Sequence, residues 1–221
     1  MIDFAHARRM MVEGQVRTAD VTDLALVAAM LDVPRERFVA PGQAALAYLD
    51  LGLAVGQGTA LGSRRLLTPM VLAKLLQAAE IRAEDHVLDV ACATGYAAAV
   101  IARLAAQVTA LEEDPALAAT AKAILADLAP ANVSVVTGPL TAGWPAAAPY
   151  DVILLEGATE IVPRAFFPQL RDGGRLLCVQ GRTPGKAMLY RSVGGDVSGR
   201  VIFDAAAALL PGFIEPPAFV F

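Results

Sequence analysis

The stretch His86-Val-Leu-Asp-Val-Ala-Cys-Ala-Thr-Gly-Tyr96 decides the fold of this chain. Its first five residues are a short apolar run of the kind that forms a buried strand. Small side chains then fill residues 91–95, where the backbone must turn and approach a ligand closely. Residues 96–105 are rich in alanine and predict a helix, whose amino end would favour a negatively charged group. This strand, turn and helix indicate a ligand site at the carboxyl edge of a parallel sheet.

Strand and helix patterns alternate through the rest of the chain. Further strands are predicted over residues 107–111, 132–136, 150–155 and 174–179, with helices over 115–128 and 163–170. Nearly continuous apolar strands that alternate with helices predict a mostly parallel sheet covered on both faces, which is an α/β fold. Strand patterns over 186–190 and 200–203 predict an antiparallel closing hairpin. We expect the apolar end, residues 213–221, to pack against its own sheet.

The first 80 residues predict a mostly helical extension. Helices are predicted over 5–17, 24–31 and 70–79, and Thr68 and Pro69 are good starting residues for the last of them. Residues 33–39 predict a turn with a short extended piece, and residues 51–67 predict a loop with short strands. We therefore divide the chain into an N-terminal helical and loop extension, 1–80, and an α/β domain, 81–221.

Composition excludes several classes of protein. The chain has 221 residues and a net charge of −4, and its scattered basic residues argue against a nucleic-acid groove. Apolar residues make up 56%, yet no run approaches the ~20 apolar residues of a membrane span. The N-terminus shows no signal peptide, so we expect a cytoplasmic protein without membrane partners. Two dispersed cysteines, Cys92 and Cys178, and two histidines, His6 and His86, leave no credible transition-metal site.

A carboxylate at the end of the second predicted strand suggests which ligand is held. Glu112 follows Asp89 by 23 residues, a position from which a carboxylate can accept both hydroxyls of a ribose. This arrangement serves NAD or S-adenosylmethionine. Because residues 89–95 do not form Gly-x-Gly-x-x-Gly and no pyrophosphate cradle is evident, a dinucleotide is disfavoured. Spacing alone leaves another interpretation open, in which Glu112 is solvated at a strand end and the turn is an ordinary one.

Further segments carry a family resemblance over nearly the whole chain. They include Val33-Pro-Arg-Glu-Arg-Phe-Val39, Thr68-Pro-Met-Val-Leu-Ala-Lys-Leu-Leu76, Ala148-Pro-Tyr-Asp-Val-Ile153 and Leu170-Arg-Asp-Gly-Gly-Arg-Leu176, together with the opening stretch. In these segments the chain resembles the protein-L-isoaspartate O-methyltransferase family. The resemblance implies a Rossmann-like class I methyltransferase fold, with a mostly parallel seven-stranded sheet, helices on both faces and the N-terminal helical extension. It also makes residues 81–221 the S-adenosylmethionine-binding domain.

The activity implied by the resemblance is methyl transfer from S-adenosylmethionine to the carboxylate of an isoaspartyl residue in damaged protein, leaving S-adenosylhomocysteine. The partner is then a peptide or protein that contains isoaspartyl residues, and no oligomeric state is implied. Because a carboxylate is already ionised near pH 7, it needs no general base. Catalysis would come from positioning the reactants and from excluding water.

The resemblance also carries site residues over to this chain. The cofactor-binding residues that it implies are Asp89, Ala91, Ala93, Gly95, Glu112, Gly138, Pro139 and Leu140. Two hydroxyl residues near the start of the 70–79 helix, Thr68 and Ser63, are the candidates for orienting the acceptor carboxylate. No metal is implied.

Departures from the family pattern gather at the ligand edge. Ala91 and Ala93 stand where the family has glycines, and alanine resists positive φ by roughly 1–2 kcal/mol. Leu67 stands where the family has a hydroxyl residue, and Pro139 where it has an aspartate. Glu156 adds a charge that would repel a carboxylate or hold an amine. Two alternatives therefore stay open: a family member that has lost isoaspartyl activity and acts as a binding module, or a methyltransferase for another acceptor.

Overall fold

The computed structural model describes residues 2–59, 62–129 and 131–215, without the side chains of residues 56–59, 62 and 63. The α-helices of this part are α1 (Phe4–Met11), α2 (Leu24–Asp32), α3 (Pro69–Ala79), α4 (Tyr96–Ile101) and α5 (Pro115–Leu128). The strands are β1 (Ala54–Thr59), β2 (Gly62–Arg65), β3 (His86–Val90), β4 (Gln107–Glu112), β5 (Val133–Thr137), β6 (Tyr150–Thr159), β7 (Leu170–Gln180), β8 (Gly185–Val193) and β9 (Asp196–Ala205). A π-helical segment, Val12–Val16, follows α1, and short 3-10 helices cover Arg17–Ala19, Arg35–Phe38, Pro41–Leu46, Leu140–Ala142, Pro145–Ala147 and Arg164–Gln169.

A seven-stranded sheet forms the centre of the molecule, in the order β5-β4-β3-β6-β7-β8-β9. Strands β5, β4, β3, β6 and β7 are parallel, and β8 is antiparallel to both of its neighbours. In the register of this sheet, Asp89 of β3 lies opposite Ala110 of β4 and Leu154 of β6. The carboxyl ends of these three strands therefore meet at one edge. The predicted mostly parallel, Rossmann-like sheet and its closing hairpin are confirmed.

Two apolar clusters cover the two faces of the sheet. Alternate residues of β3 point to opposite sides, so that Val87 joins one cluster and Leu88 the other. The α-helices pack on the first face, where α3, α4 and α5 contribute most of their buried side chains. The second face is covered by the 3-10 segments around Leu140 and Phe166 and by Phe213 after β9. Both faces of β3, β4 and β6 are therefore buried, as their nearly continuous apolar sequences require.

Buried polar contacts join the N-terminal extension to the sheet. Arg175 of β7 donates through Nε to the Ala79 carbonyl at 2.8 Å and through Nη2 to Glu80 O at 3.0 Å and Asp85 Oδ2 at 2.6 Å. The Thr94 hydroxyl donates to the Phe38 carbonyl at 2.6 Å. The end of α3 and the ligand-edge loop are thereby each tied to the extension.

Several segments differ from their predicted form. Residues 33–39 contain a 3-10 helix, Arg35–Phe38, rather than an extended piece, because i,i+3 spacing buries Arg35 and Phe38 together. Helix α4 ends at Ile101, since the next amides bond three residues back, as Leu104 N does to Ile101 O at 2.8 Å. The 51–67 segment contains the antiparallel pair β1-β2, and β6 runs on to Thr159.

The chain after β9 partly tests the prediction that its apolar end packs on the sheet. Phe213 is buried, and its ring stacks on that of Phe166 with centroids 6.1 Å apart. Residues 216–221 lie outside the described part. Within the described residues, none of the helices combines the length and apolar character needed to cross a bilayer. The same residues hold no group of three or more metal-ligating side chains.

Candidate functional site

The loop that follows β3 adopts the backbone that the sequence predicts for a close approach to a ligand. Ala91 and Ala93 have φ values of 68° and 53°, and Gly95 has 93°. The φ of Gly95 favours glycine, and a β-carbon there would lie 2.8 Å from Leu125 Cδ1, so that the leucine side chain would have to shift. The Ala91 and Cys92 amides both donate to the Leu111 carbonyl, at 2.9 and 3.1 Å, and fix the turn. Both alanines thus hold the left-handed conformation that glycine would adopt without strain.

Glu112 lies at the end of β4 and faces this loop. Its side chain is only 1% exposed. Oε2 accepts from the Ala93 amide at 2.8 Å, and Oε1 accepts from the amides of Glu113 and Asp114 at 2.9 and 3.1 Å. The structure therefore brings together the loop and the carboxylate that the sequence assigned to one site.

A side chain that the sequence analysis did not select also reaches Glu112. Arg64 of β2 donates through Nη2 to Glu112 Oε2 at 3.0 Å and to the Ala91 carbonyl at 2.7 Å. Its side chain is 9% exposed. The Arg64-Arg65 pair is visible in the sequence as a basic pair, but nothing in its spacing relates it to a residue 48 positions later.

A cavity of about 300 Å³ adjoins this ion pair. Its lining residues come from β2, the end of β4, the start of α5 and two later loops, and they are Arg64, Glu112, Glu113, Asp114, Pro115, Leu140 and Pro211. The Gly138 amide donates to the Glu112 carbonyl at 3.1 Å, and Pro139 begins the 3-10 turn that presents Leu140. Leu140 thus lines the cavity, whereas Gly138 and Pro139 are not among its lining residues.

Two buried carboxyl groups lie next to each other below the loop. Asp89 is fully buried, and Glu156 of β6 is nearly so. Burial is the main cause that raises the pKa of both groups, and the neighbouring charge of Asp89 adds to the shift for Glu156. Among the described residues, no donor makes a hydrogen bond to either oxygen of Asp89. Burial thus favours the neutral forms of Asp89 and Glu156 more than it does for an exposed carboxyl group.

Of the two hydroxyl candidates, Thr68 lines a second cavity. Thr68 caps α3, where its Oγ1 accepts from the Val71 amide at 3.4 Å. The backbone of Ser63 belongs to β2, but its side chain lies outside the described part. This second cavity, of about 350 Å³, is lined by Thr68 and by residues after β7 and β9. The other residues that line this cavity are Gly52, Arg65, Leu66, Leu67, Thr183, Ala206, Ala207 and Ala208.

Arg35 supports this second cavity from inside the protein. It is fully buried, and its guanidinium lies 4.4 Å from the centre of the Tyr96 ring. Nε donates to the Ala47 carbonyl at 2.9 Å and Nη2 to the Leu67 carbonyl at 2.7 Å. Burial lowers the pKa of Arg35 from its ordinary value. Sequence reasoning missed this role, although the Val-Pro-Arg segment that contains Arg35 was singled out.

Comparison with protein families and sequences identifies relatives over most of the chain. A family model described as protein-L-isoaspartate(D-aspartate) O-methyltransferase matches residues 7–200. A protein-L-isoaspartate O-methyltransferase of Methylorubrum extorquens (strain PA1) is 41% identical over 187 residues, covering 85% of this chain and 79% of that protein. Protein-L-isoaspartate O-methyltransferase 1 of Geotalea uraniireducens (strain Rf4) is 36% identical over 189 residues, covering 86% and 84%.

Solved structures agree in fold. A protein-L-isoaspartate O-methyltransferase has a TM-score of 0.80 at 24% identity, over 93% of this chain and 66% of that chain. A Plasmodium falciparum beta-aspartate methyltransferase structure, in complex with S-adenosyl-L-homocysteine, has a TM-score of 0.78 at 14% identity, over 92% and 97%. The family model and the two bacterial relatives together show that this chain belongs to the protein-L-isoaspartate O-methyltransferase family.

Proposed function

We propose that this protein transfers a methyl group from S-adenosylmethionine to the carboxylate of isoaspartyl residues in damaged protein. The observation that carries the proposal is Glu112, a buried carboxylate held beside the 91–95 loop at the edge of a cavity. A carboxylate in that position can accept a hydrogen bond from a ribose hydroxyl. The Plasmodium falciparum relative of the same fold was solved with S-adenosyl-L-homocysteine.

The residues of the first cavity fit such a cofactor. Glu112 would hold the ribose, and the Leu140 side chain offers an apolar wall for the adenine. Asp89 is buried and does not line this cavity. Because no described residue donates to its two oxygens, Asp89 would accept from the cofactor's ammonium. The bound cofactor supplies an electrophilic methyl group on a positively charged sulfur. The backbone at Ala91 and Ala93 already has the conformation that a close approach requires.

The second cavity suits the acceptor. The carboxylate to be methylated is already ionised, so the protein needs no general base to remove a proton from it. The Thr68 hydroxyl accepts from the Val71 amide and keeps its own proton to donate to that carboxylate. The start of α3 adds a favourable dipole for a negative group. Ser63 is proposed as a second hydroxyl near the acceptor.

The remaining parts of the proposal concern organisation and setting. Residues 81–221 are proposed to bind the cofactor, while residues 1–80 contribute to the acceptor side. The proposed partners are isoaspartyl-containing peptides or proteins rather than nucleic acids, and the proposed location is the cytoplasm. The suggestion that Glu156 selects an amine acceptor loses support, because Glu156 is buried beside Asp89 and is not among the residues that line the second cavity.

Two measurements test the proposal. Isothermal titration with S-adenosylhomocysteine should show binding, and the absence of binding at millimolar ligand would contradict both the cofactor and the enzyme assignment. Methyl transfer should then be measured with an isoaspartyl peptide and with the same peptide carrying ordinary aspartate. Turnover of the isoaspartyl peptide alone is expected. Tight cofactor binding with no turnover of either peptide would instead indicate another acceptor.

A further inference from the structure

The place in which a cofactor ribose would sit is already taken by a side chain of the protein. We propose that Arg64 is a built-in competitor of the cofactor for Glu112, so that its guanidinium must leave this carboxylate before the ribose binds. The inference rests on the proposed function, because it assumes that Glu112 is the ribose ligand. It concerns one side chain of β2, which the family resemblance did not single out.

The acceptor capacity of Glu112 is fully used in the folded chain. A carboxylate offers about four lone-pair sites on its two oxygens. The amides of Ala93, Glu113 and Asp114 take three of them, at 2.8, 2.9 and 3.1 Å. Arg64 Nη2 takes the fourth at 3.0 Å. The backbone donors belong to the fixed turns, so the Arg64 contact is the one that can be exchanged for a ribose hydroxyl.

Arg64 has two buried nitrogens without an acceptor among the described residues, one more than the buried Arg35 has. Its Nε and Nη1 are buried and find no hydrogen-bond acceptor among the described residues. Arg175, by contrast, donates through Nε and Nη2 to two carbonyls and a carboxylate. Among the described residues, Arg175 has no buried nitrogen without an acceptor. A buried guanidinium with unmet donors loses less when it is displaced than one that is fully bonded.

Charge explains why an arginine can stand in for the cofactor. Three buried carboxyl groups, Asp89, Glu112 and Glu156, lie around the site, and Arg64 interacts with Asp89 and Glu156 as well as with Glu112. A positive group at this place offsets their charge. The methyl donor carries an ammonium and a sulfonium beside one carboxylate, so it is a net cation. Exchange of Arg64 for the methyl donor therefore replaces one positive charge near these carboxyl groups by another.

Isothermal titration with S-adenosylhomocysteine on the full chain tests the inference. Arg64→Met keeps the apolar stem of the side chain and removes the donors that compete for Glu112. Because the ligand no longer has to displace a charged hydrogen bond, we expect this variant to bind S-adenosylhomocysteine about tenfold more tightly than the wild type. Arg37→Met is the matched control, because it deletes the same charge from an exposed pair with Asp127 at 2.9 Å. Its affinity should stay within about twofold of the wild type.

The outcomes separate this inference from the proposed function. Equal or weaker binding by Arg64→Met, beside measurable wild-type binding, overturns the competitor and leaves the cofactor assignment standing. No binding by either protein overturns both, because removal of the competitor should have opened the site. Should Arg64→Met fail to fold, the structure of the wild type with S-adenosylhomocysteine decides. Arg64 more than ~4 Å from the Glu112 carboxylate supports the inference, and an unchanged contact overturns it.

Discussion

Because Ala91 and Ala93 have positive φ, their replacement by glycine should change the stability of the protein less than the same replacement of an ordinary buried alanine. Ala91→Gly and Ala93→Gly each relieve a left-handed conformation that costs about 1–2 kcal/mol. Each also removes a buried methyl group, which destabilises the folded protein by about 0.8 kcal/mol. Glycine also increases the conformational entropy of the unfolded chain, which destabilises the folded protein by about 0.4–1 kcal/mol more. The opposing contributions nearly cancel, so either change should alter the unfolding free energy by less than about 1 kcal/mol.

Ala98→Gly is the control for this prediction. Ala98 is equally buried but lies inside α4 with an ordinary helical backbone, so there is no strain to relieve. Its loss of the methyl group and of helix propensity should destabilise the protein by about 2 kcal/mol. Urea unfolding followed by far-ultraviolet circular dichroism, at one pH and without ligand, measures all three variants. If Ala91→Gly or Ala93→Gly destabilises as much as Ala98→Gly, the strain attributed to the loop is wrong.

Three further predictions concern the site itself. Glu112→Gln should weaken S-adenosylhomocysteine binding by about 1–3 kcal/mol through the lost charged hydrogen bonds, and an unchanged dissociation constant in titration calorimetry would refute its ribose role. Because burial raises the pKa of Asp89, the folded protein binds more protons than the unfolded chain above pH ~4, so stability should fall as pH rises toward 7. Between pH 5 and 7, Asp89→Asn should reduce this fall in unfolding free energy, measured by urea unfolding, by at least about 1.4 kcal/mol. The control, exposed Glu84→Gln, should show the same dependence of unfolding free energy on pH as the wild type. The same dependence in all three proteins would exclude a buried titrating Asp89. Thr68→Val should raise KM for an isoaspartyl peptide about tenfold without changing cofactor affinity, whereas Thr68→Ser should keep the wild-type KM. A normal KM in Thr68→Val would show that the hydroxyl only caps α3.

The backbone of the site was predictable because it follows from local patterns. The strand, the small-residue turn and the carboxylate 23 residues after Asp89 were all readable from the sequence, and the structure brings them together. The sequence indicated the cost of positive φ at Ala91 and Ala93, since both occupy glycine positions of the family pattern, and the structure shows that both residues do have positive φ. Each of these features depends on spacing within one strand-turn-helix unit or between neighbouring strands.

Features that depend on contacts between distant segments were not predictable. Arg64 reaches Glu112 across 48 residues from a hairpin whose sequence has no clear period. Strand β6 was expected to end before Glu156, but Ala158 bonds to Ala208 and the bridge to Leu209 prolongs it, so Glu156 lies inside a strand. Arg35 is buried because carbonyls of Ala47 and Leu67 surround it, and no pattern near residue 35 shows either of them.

The Arg64–Glu112 ion pair has a consequence for how the protein responds to its surroundings. A side chain that competes for the ribose position lowers the apparent affinity for the cofactor. The cofactor concentration at which half of the protein molecules are loaded rises by the same factor. Over that higher range the loaded fraction rises and falls with the concentration of the methyl donor. Methylation of damaged protein would then be coupled to the metabolic state of the cell, through a single arginine and without a separate regulatory domain.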